Sequence, residues 1–156
     1  MEINIIAFVI TTSIAVISTI IAFSGWIKNN AFQRTKFVHE ILSKFQHEDD
    51  LVKAFYLISS SRKGIFRKDN REKVDKLLMW LSYVCYLKGT GRIDDSEFCF
   101  IQSSLHRVLK HDAVKKYLQL TDKDSHKIGA RCAFHYLITY GITHAIFCEN
   151  EFHSQP

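Results

Sequence analysis

From Ile3 to Ile27 the sequence runs for 25 residues without an ionisable side chain. Seventeen of these residues are apolar, thirteen of them Ile, Val or Phe; the rest are Gly25 and seven Asn, Ser or Thr. Fourteen are β-branched, which favours strands in water, but strands seldom exceed about ten residues. A helix of this length reaches roughly 37 Å at about 1.5 Å per residue, enough to cross a hydrocarbon core of about 30 Å with some tilt. In lipid the backbone must satisfy its own hydrogen bonds, which selects a helix, and Ser and Thr hydroxyls are served by the preceding turn. The run therefore predicts a transmembrane anchor over residues 1–27. A cleaved leader fits less well, because Glu2 precedes the run, no Lys or Arg does, and the apolar core exceeds the usual length of about 7–15 residues.

Charge is distributed to match. The chain of 156 residues holds 21 Lys+Arg and 16 Asp+Glu, and every Lys and Arg follows Ile27. Lys28, Arg34 and Lys36 come directly after the run, so the positive-inside rule predicts a single-pass protein of the inner cell membrane, N-terminus outside and C-terminal domain cytoplasmic. Trp26 sits where an interfacial aromatic anchor belongs. Cys85, Cys99, Cys132 and Cys148 are widely spaced within helical patterns, which predicts reduced thiols rather than a disulfide framework.

The remainder predicts an all-α chain. The membrane helix continues as a juxtamembrane helix over 28–48, with Phe37, Val38, Ile41, Leu42 and Phe45 at helical spacing. A bundle of about five helices follows over 49–150, with a tail at 151–156. Asp49 or Asp50 caps a helix to about Ser59, and Ser59 to Gly64 form a loop. Asp69 or Asn70 opens a helix to about Leu87 with a stripe of Val74, Leu77, Leu78, Leu81, Val84 and Cys85. Met79, Trp80, Tyr83 and Tyr86 make its other faces apolar, which predicts a central position. Asp94 and Glu97 form a capping box for the next helix. A short helix from Val114 to Leu120, a turn at Thr121–Ser125 and a last helix from about His126 to Cys148 complete the chain. Arg131, His135 and His144 make 128–147 costly in lipid, so it reads as a bundle helix rather than a second span.

Four patterns bear on chemistry. Gly91 to Phe98 resembles the second half of a calcium loop, but Tyr86, Lys88 and Thr90 stand where the first carboxylates belong, so the structural expectation is a glycine turn and a cap. Cys132-x2-His135 and His144-x3-Cys148 are the candidate zinc ligands. On one continuous helix these two pairs would point to opposite faces, roughly 18 Å apart, with Gly141 the place where a break would bring them together. His39-Glu40 and His111-Asp112 lack the partners of known hydrolytic motifs, and no phosphate loop, nucleophile elbow or dinucleotide fingerprint is present. No pattern calls for a cofactor. The fourth pattern is a basic segment, Arg62, Lys63, Arg67, Lys68, Arg71 and Lys73, with Phe66 among them. It suits an anionic lipid surface or a protein partner, each charge near such a surface adding about 1 kcal/mol. Nucleic acid is the less favoured anion.

The sequence Lys73-Val74-Asp75-Lys76-Leu77-Leu78-Met79-Trp80-Leu81-Ser82-Tyr83, followed by Gly91-Arg92-Ile93-Asp94, resembles bacterial domain-of-unknown-function family 4760. The shared layout is an aromatic-bearing apolar helix, then a glycine turn entering the next helix, over roughly residues 4–120. A Glu often found near Val84 in that family is missing here. The resemblance implies one N-terminal membrane helix, a helical cytoplasmic domain and a bacterial or phage setting, with phage defence or superinfection exclusion as roles. It carries over no catalytic residues. The expected function is a membrane-anchored, non-enzymatic cytoplasmic interaction module whose lipid or partner surface is Arg62, Lys63, Phe66, Arg67, Lys68 and Arg71. The alternatives are a membrane-perturbing effector that oligomerises through its transmembrane helix, by Thr11, Thr12, Ser13, Ser18, Thr19 and Gly25, and a metal-dependent enzyme.

Overall fold

The computed structural model describes the backbone of residues 2–60 and 64–152, and the side chains of these from residue 13 onward except at 30, 31, 34 and 149. The chain is all-helical over the described residues: α1 (Glu2–His47), α2 (Asp49–Ser59), α3 (Lys68–Gly89), α4 (Asp95–Leu109), α5 (Asp112–Lys127), α6 (His135–Thr143) and a 3₁₀ turn (Glu149–Glu151). These seven helical elements exceed the expected count, and the chain divides into two compact units, residues 1–40 and 41–156, so the last turns of α1 belong to the second.

In the first unit, α1 is helical throughout, and Thr19 Oγ1 donates to the Ala15 carbonyl at 2.8 Å, as a hydroxyl in an apolar helix should. Ile14, Val16, Ile17, Ile20, Ile21, Phe23, Trp26 and Ile27 are 48–67 % exposed. At about 100° per residue these side chains take up more than half of the helix circumference. Among the described residues no helix is long and apolar enough to cross a membrane.

The second unit is built around α3, which packs on α2, α4 and α6. Val74, Leu77, Leu78, Leu81, Val84 and Cys85 are all buried, so the stripe predicted from spacing is the core face. The opposite face is not core: Met79, Tyr83 and Tyr86 are exposed. Leu105, Val108, Val114, Leu118, Leu137 and Ile138 complete the centre. Phe152 is buried and Glu151 pairs with Lys115 at 2.8 Å, so these two residues of the expected tail belong to the packed unit.

Three helix ends share one device. The N–H three residues past the helix bonds the carbonyl five residues back, from Arg92 to Leu87, Ala130 to Ser125 and Ile146 to Gly141, at 2.8–3.0 Å. The intervening residue takes the left-handed conformation: Gly91 (φ 70°), Gly129 (φ 66°) and Ala145 (φ 53°). Two expectations are corrected here. The turn predicted at Thr121–Ser125 is helical, because α5 runs on to Lys127; Thr121 serves its hydroxyl by bonding back to the Tyr117 carbonyl at 3.0 Å. The last helix is only His135–Thr143, since the chain between Gly129 and Phe134 is irregular and Ala145 stops α6. Helix starts also move by a residue or two. Glu48 and Arg67 precede α2 and α3, without side-chain caps.

Candidate functional site

The capping reading of the calcium-like segment holds at atomic level. Asp94 accepts from the Glu97 N–H at 2.9 Å, and Glu97 accepts from the Asp94 N–H at 2.9 Å. Ile93 is buried, and both carboxylates serve the helix start. His111 is likewise a cap, its Nδ1 accepting from the Ala113 N–H at 3.2 Å.

The basic segment is divided by its packing. Arg62 and Lys63 lie outside the described residues. Phe66 is half-buried and stacks on Tyr117 with ring centroids 4.3 Å apart, so its ring is engaged within the bundle. Arg71 lies over the same Tyr117 ring at 5.6 Å and pairs with Asp75 at 3.9 Å. Tyr117 is wedged between these groups and Phe134, and burial first, then its bond to Asp75, pushes its hydroxyl pKa up. Lys73 reaches Asp50, which also pairs with Lys76 at 3.2 Å. Arg67 and Lys68 are exposed. The segment thus does two jobs: Phe66, Arg71 and Lys73 bind it to the bundle, while Arg67 and Lys68 face solvent.

The four candidate zinc ligands are not gathered. Cys132 is buried in the irregular chain before α6, and burial raises its thiol pKa. His135 opens α6, half-buried, its pKa lowered by burial and by Arg131. His144 caps the far end of α6 and Cys148 is exposed beyond it. The single helix assumed from sequence is absent, yet among the described residues no three His, Cys, Asp or Glu side chains stand close enough to hold a metal ion.

What the fold does bring together was not visible in the sequence. On α4 and α6, His106 Nε2 meets the Tyr140 hydroxyl at 3.1 Å, and the Tyr140 ring stacks on His144 at 3.9 Å. Burial lowers the His106 pKa, with His144 and Lys110 adding to the effect, and burial pushes Tyr140 up to about 12. The buried Cys85 thiol is pushed up to about 12 as well. On the opposite flank of α3, Tyr83, Tyr86 and Tyr136 adjoin at 6.3 and 4.9 Å, beside exposed Met79, with Arg131 over the Tyr136 ring at 5.1 Å. Between the last turns of α1 and helices α2, α3 and α4 lies a cavity of about 330 Å³, lined by four aromatic rings (Phe45, Phe55, Trp80 and Phe100) and by aliphatic side chains, with Gln46 and Ser104 its polar members.

No family model, no curated protein and no solved structure matches the chain.

Proposed function

We propose that this chain is a membrane-anchored interaction module rather than a catalyst, with α1 seated in a bilayer and the 41–156 bundle offering its surface to a partner on the cytoplasmic side. The observation that carries it is the ring of large apolar side chains on α1, from Ile14 to Ile27, exposed on most of the helix circumference. Such a surface is too extensive for an ordinary water-facing helix and suits lipid. The sequence extends the same uncharged character back to Ile3, which brings the run to spanning length. Lys28 and Lys36 follow it, the pattern of a cytoplasmic flank.

Two surfaces of the bundle suit recognition. The Tyr83, Tyr86, Tyr136, Met79 and Arg131 patch has the composition enriched at protein interfaces. Arg67 and Lys68, with Arg62 and Lys63 beside them in sequence, suit anionic headgroups. The bacterial or phage setting, and a role in defence or superinfection exclusion, rests on the resemblance of layout alone.

Placing Lys at Ile17 and Ile21 costs about 2.5–3.5 kcal/mol each at the centre of a span. Full-length chain carrying both changes is expected to move from the membrane pellet to the soluble fraction. An unchanged pellet, resistant to alkaline carbonate, would refute anchoring by α1.

A further inference from the structure

We infer that the cavity between the last turns of α1 and helices α2, α3 and α4 binds a single-chain anionic amphiphile, its hydrocarbon within the aromatic walls and its acid group at Arg107. This does not rest on membrane anchoring, since every lining residue belongs to the 41–156 unit. The space of about 330 Å³ falls in the size range of ligand sites, and its walls are aromatic and aliphatic. Leu77, Leu81, Ile101 and Val108 are buried and form its floor, which leaves water polar partners only at Gln46 and Ser104. Phe100, 71 % exposed, marks the mouth.

Volume and shape select the ligand. At about 30 Å³ for a water-sized group, the space takes roughly ten methylenes. Phe45 and Trp80 already stack on each other at 4.9 Å, and Phe55 stands edge-on to Phe45, so the aromatic walls offer flanks to a flexible chain rather than an open slot for a flat ring. The Arg107 guanidinium lies over the Phe55 ring, one of those walls, at 6.0 Å. It follows Ser104 by three residues on α4, so the two share a face, and Gln46 offers an amide to the same cavity. A guanidinium beside an apolar slot, with a hydroxyl and an amide at hand, suits a carboxylate on a hydrocarbon tail.

Trp80 reports directly on occupancy. In a Trp26→Phe background it is the sole tryptophan. Full-length chain of this background in neutral-lipid nanodiscs is titrated with a bromine-tipped saturated carboxylate of about ten carbons, whose bromine quenches indole on contact. The expected result is saturable quenching, roughly tenfold weaker for Arg107→Gln and for the uncharged methyl ester of the same probe, and abolished by Ser104→Phe, which fills the space. Quenching that rises linearly with probe and is unchanged by Ser104→Phe reports dissolution in the bilayer and overturns the proposal. So does an ester that binds as tightly as the acid. If circular dichroism shows Ser104→Phe misfolded, the exposed Arg107→Gln variant decides: equal affinity with and without the guanidinium refutes the assignment.

Discussion

Replacing Gly141 by Ala sets two effects of opposite sign against each other. Gly141 lies inside α6, where Ala is the better helix former by about 1 kcal/mol. After α6 the chain folds back, with the N–H groups of both Ile146 and Phe147 bonding to the Gly141 carbonyl at 2.8 and 3.0 Å. The Phe147 ring comes down on the Gly141 Cα, so a Cβ there would sit closer than 3.0 Å to two ring carbons. Phe147 is buried, and its ring packs on Phe152 with centroids 5.0 Å apart, so it has no open side to retreat to. Overpacking of this kind costs about 1–3 kcal/mol, and expelling the ring outright costs about 1.5–3 kcal/mol. Against the helix gain, the net is a destabilisation of up to about 2 kcal/mol, or a fall in Tm of up to roughly 10 °C for a bundle of this size. Thermal unfolding of the full-length protein followed by circular dichroism measures it. Gly141→Ala combined with Phe147→Leu should lose less than the sum of the two single changes, because they meet in one contact. A raised Tm for Gly141→Ala, or strict additivity, would refute the close approach.

Ala145 holds a left-handed conformation without being glycine, so Ala145→Gly should raise stability by about 0.5–1 kcal/mol in the same assay. Asp94→Ala removes one side of the capping box and should cost about 1 kcal/mol, with partial recovery in Asp94→Ser. His106 is held neutral in the folded state by burial, and by His144 and Lys110, so its folded pKa lies below the ordinary 6.5. The unfolded chain then binds more protons just below pH 6.5, and stability is complete above that value and falls as pH drops toward the folded pKa. Denaturation at stepped pH should show this acid loss reduced in His106→Gln, and an identical profile would count against it. Alkylation of the native protein should label Cys99 and Cys148 quickly and Cys85 and Cys132 slowly, since the first two are exposed and burial raises the thiol pKa of the others; four equal rates would contradict the burial.

Local signals were legible in the sequence where they were self-sufficient. The α3 stripe, the Gly91 turn and the Asp94–Glu97 box each lie within a few residues, and each stands in the structure as spacing predicted. Signals that depend on distant partners were not. Thr121 to Ser125 has the composition of a turn, but Leu118 and Asp122 are buried by the fold, and the helix continues past them to Lys127. Ala145 has no sequence preference for the left-handed region, so the stop of α6 was invisible and the last helix was drawn too long. Phe66 reads as an exposed ring among cations until Tyr117, about fifty positions on, covers it. The cavity takes residues from four helices, and the His106–Tyr140 pair joins groups 34 residues apart; neither leaves a local pattern.

Anchoring by α1 is the claim on which the proposed function turns, and its most direct test is fractionation of full-length protein made in a bacterium, washed in alkaline carbonate, with a reporter fused after Pro156. The account predicts that the protein stays in the membrane pellet and that the reporter is active only on the cytoplasmic side. Recovery of intact chain in the soluble fraction, or a reporter active only outside, would contradict it.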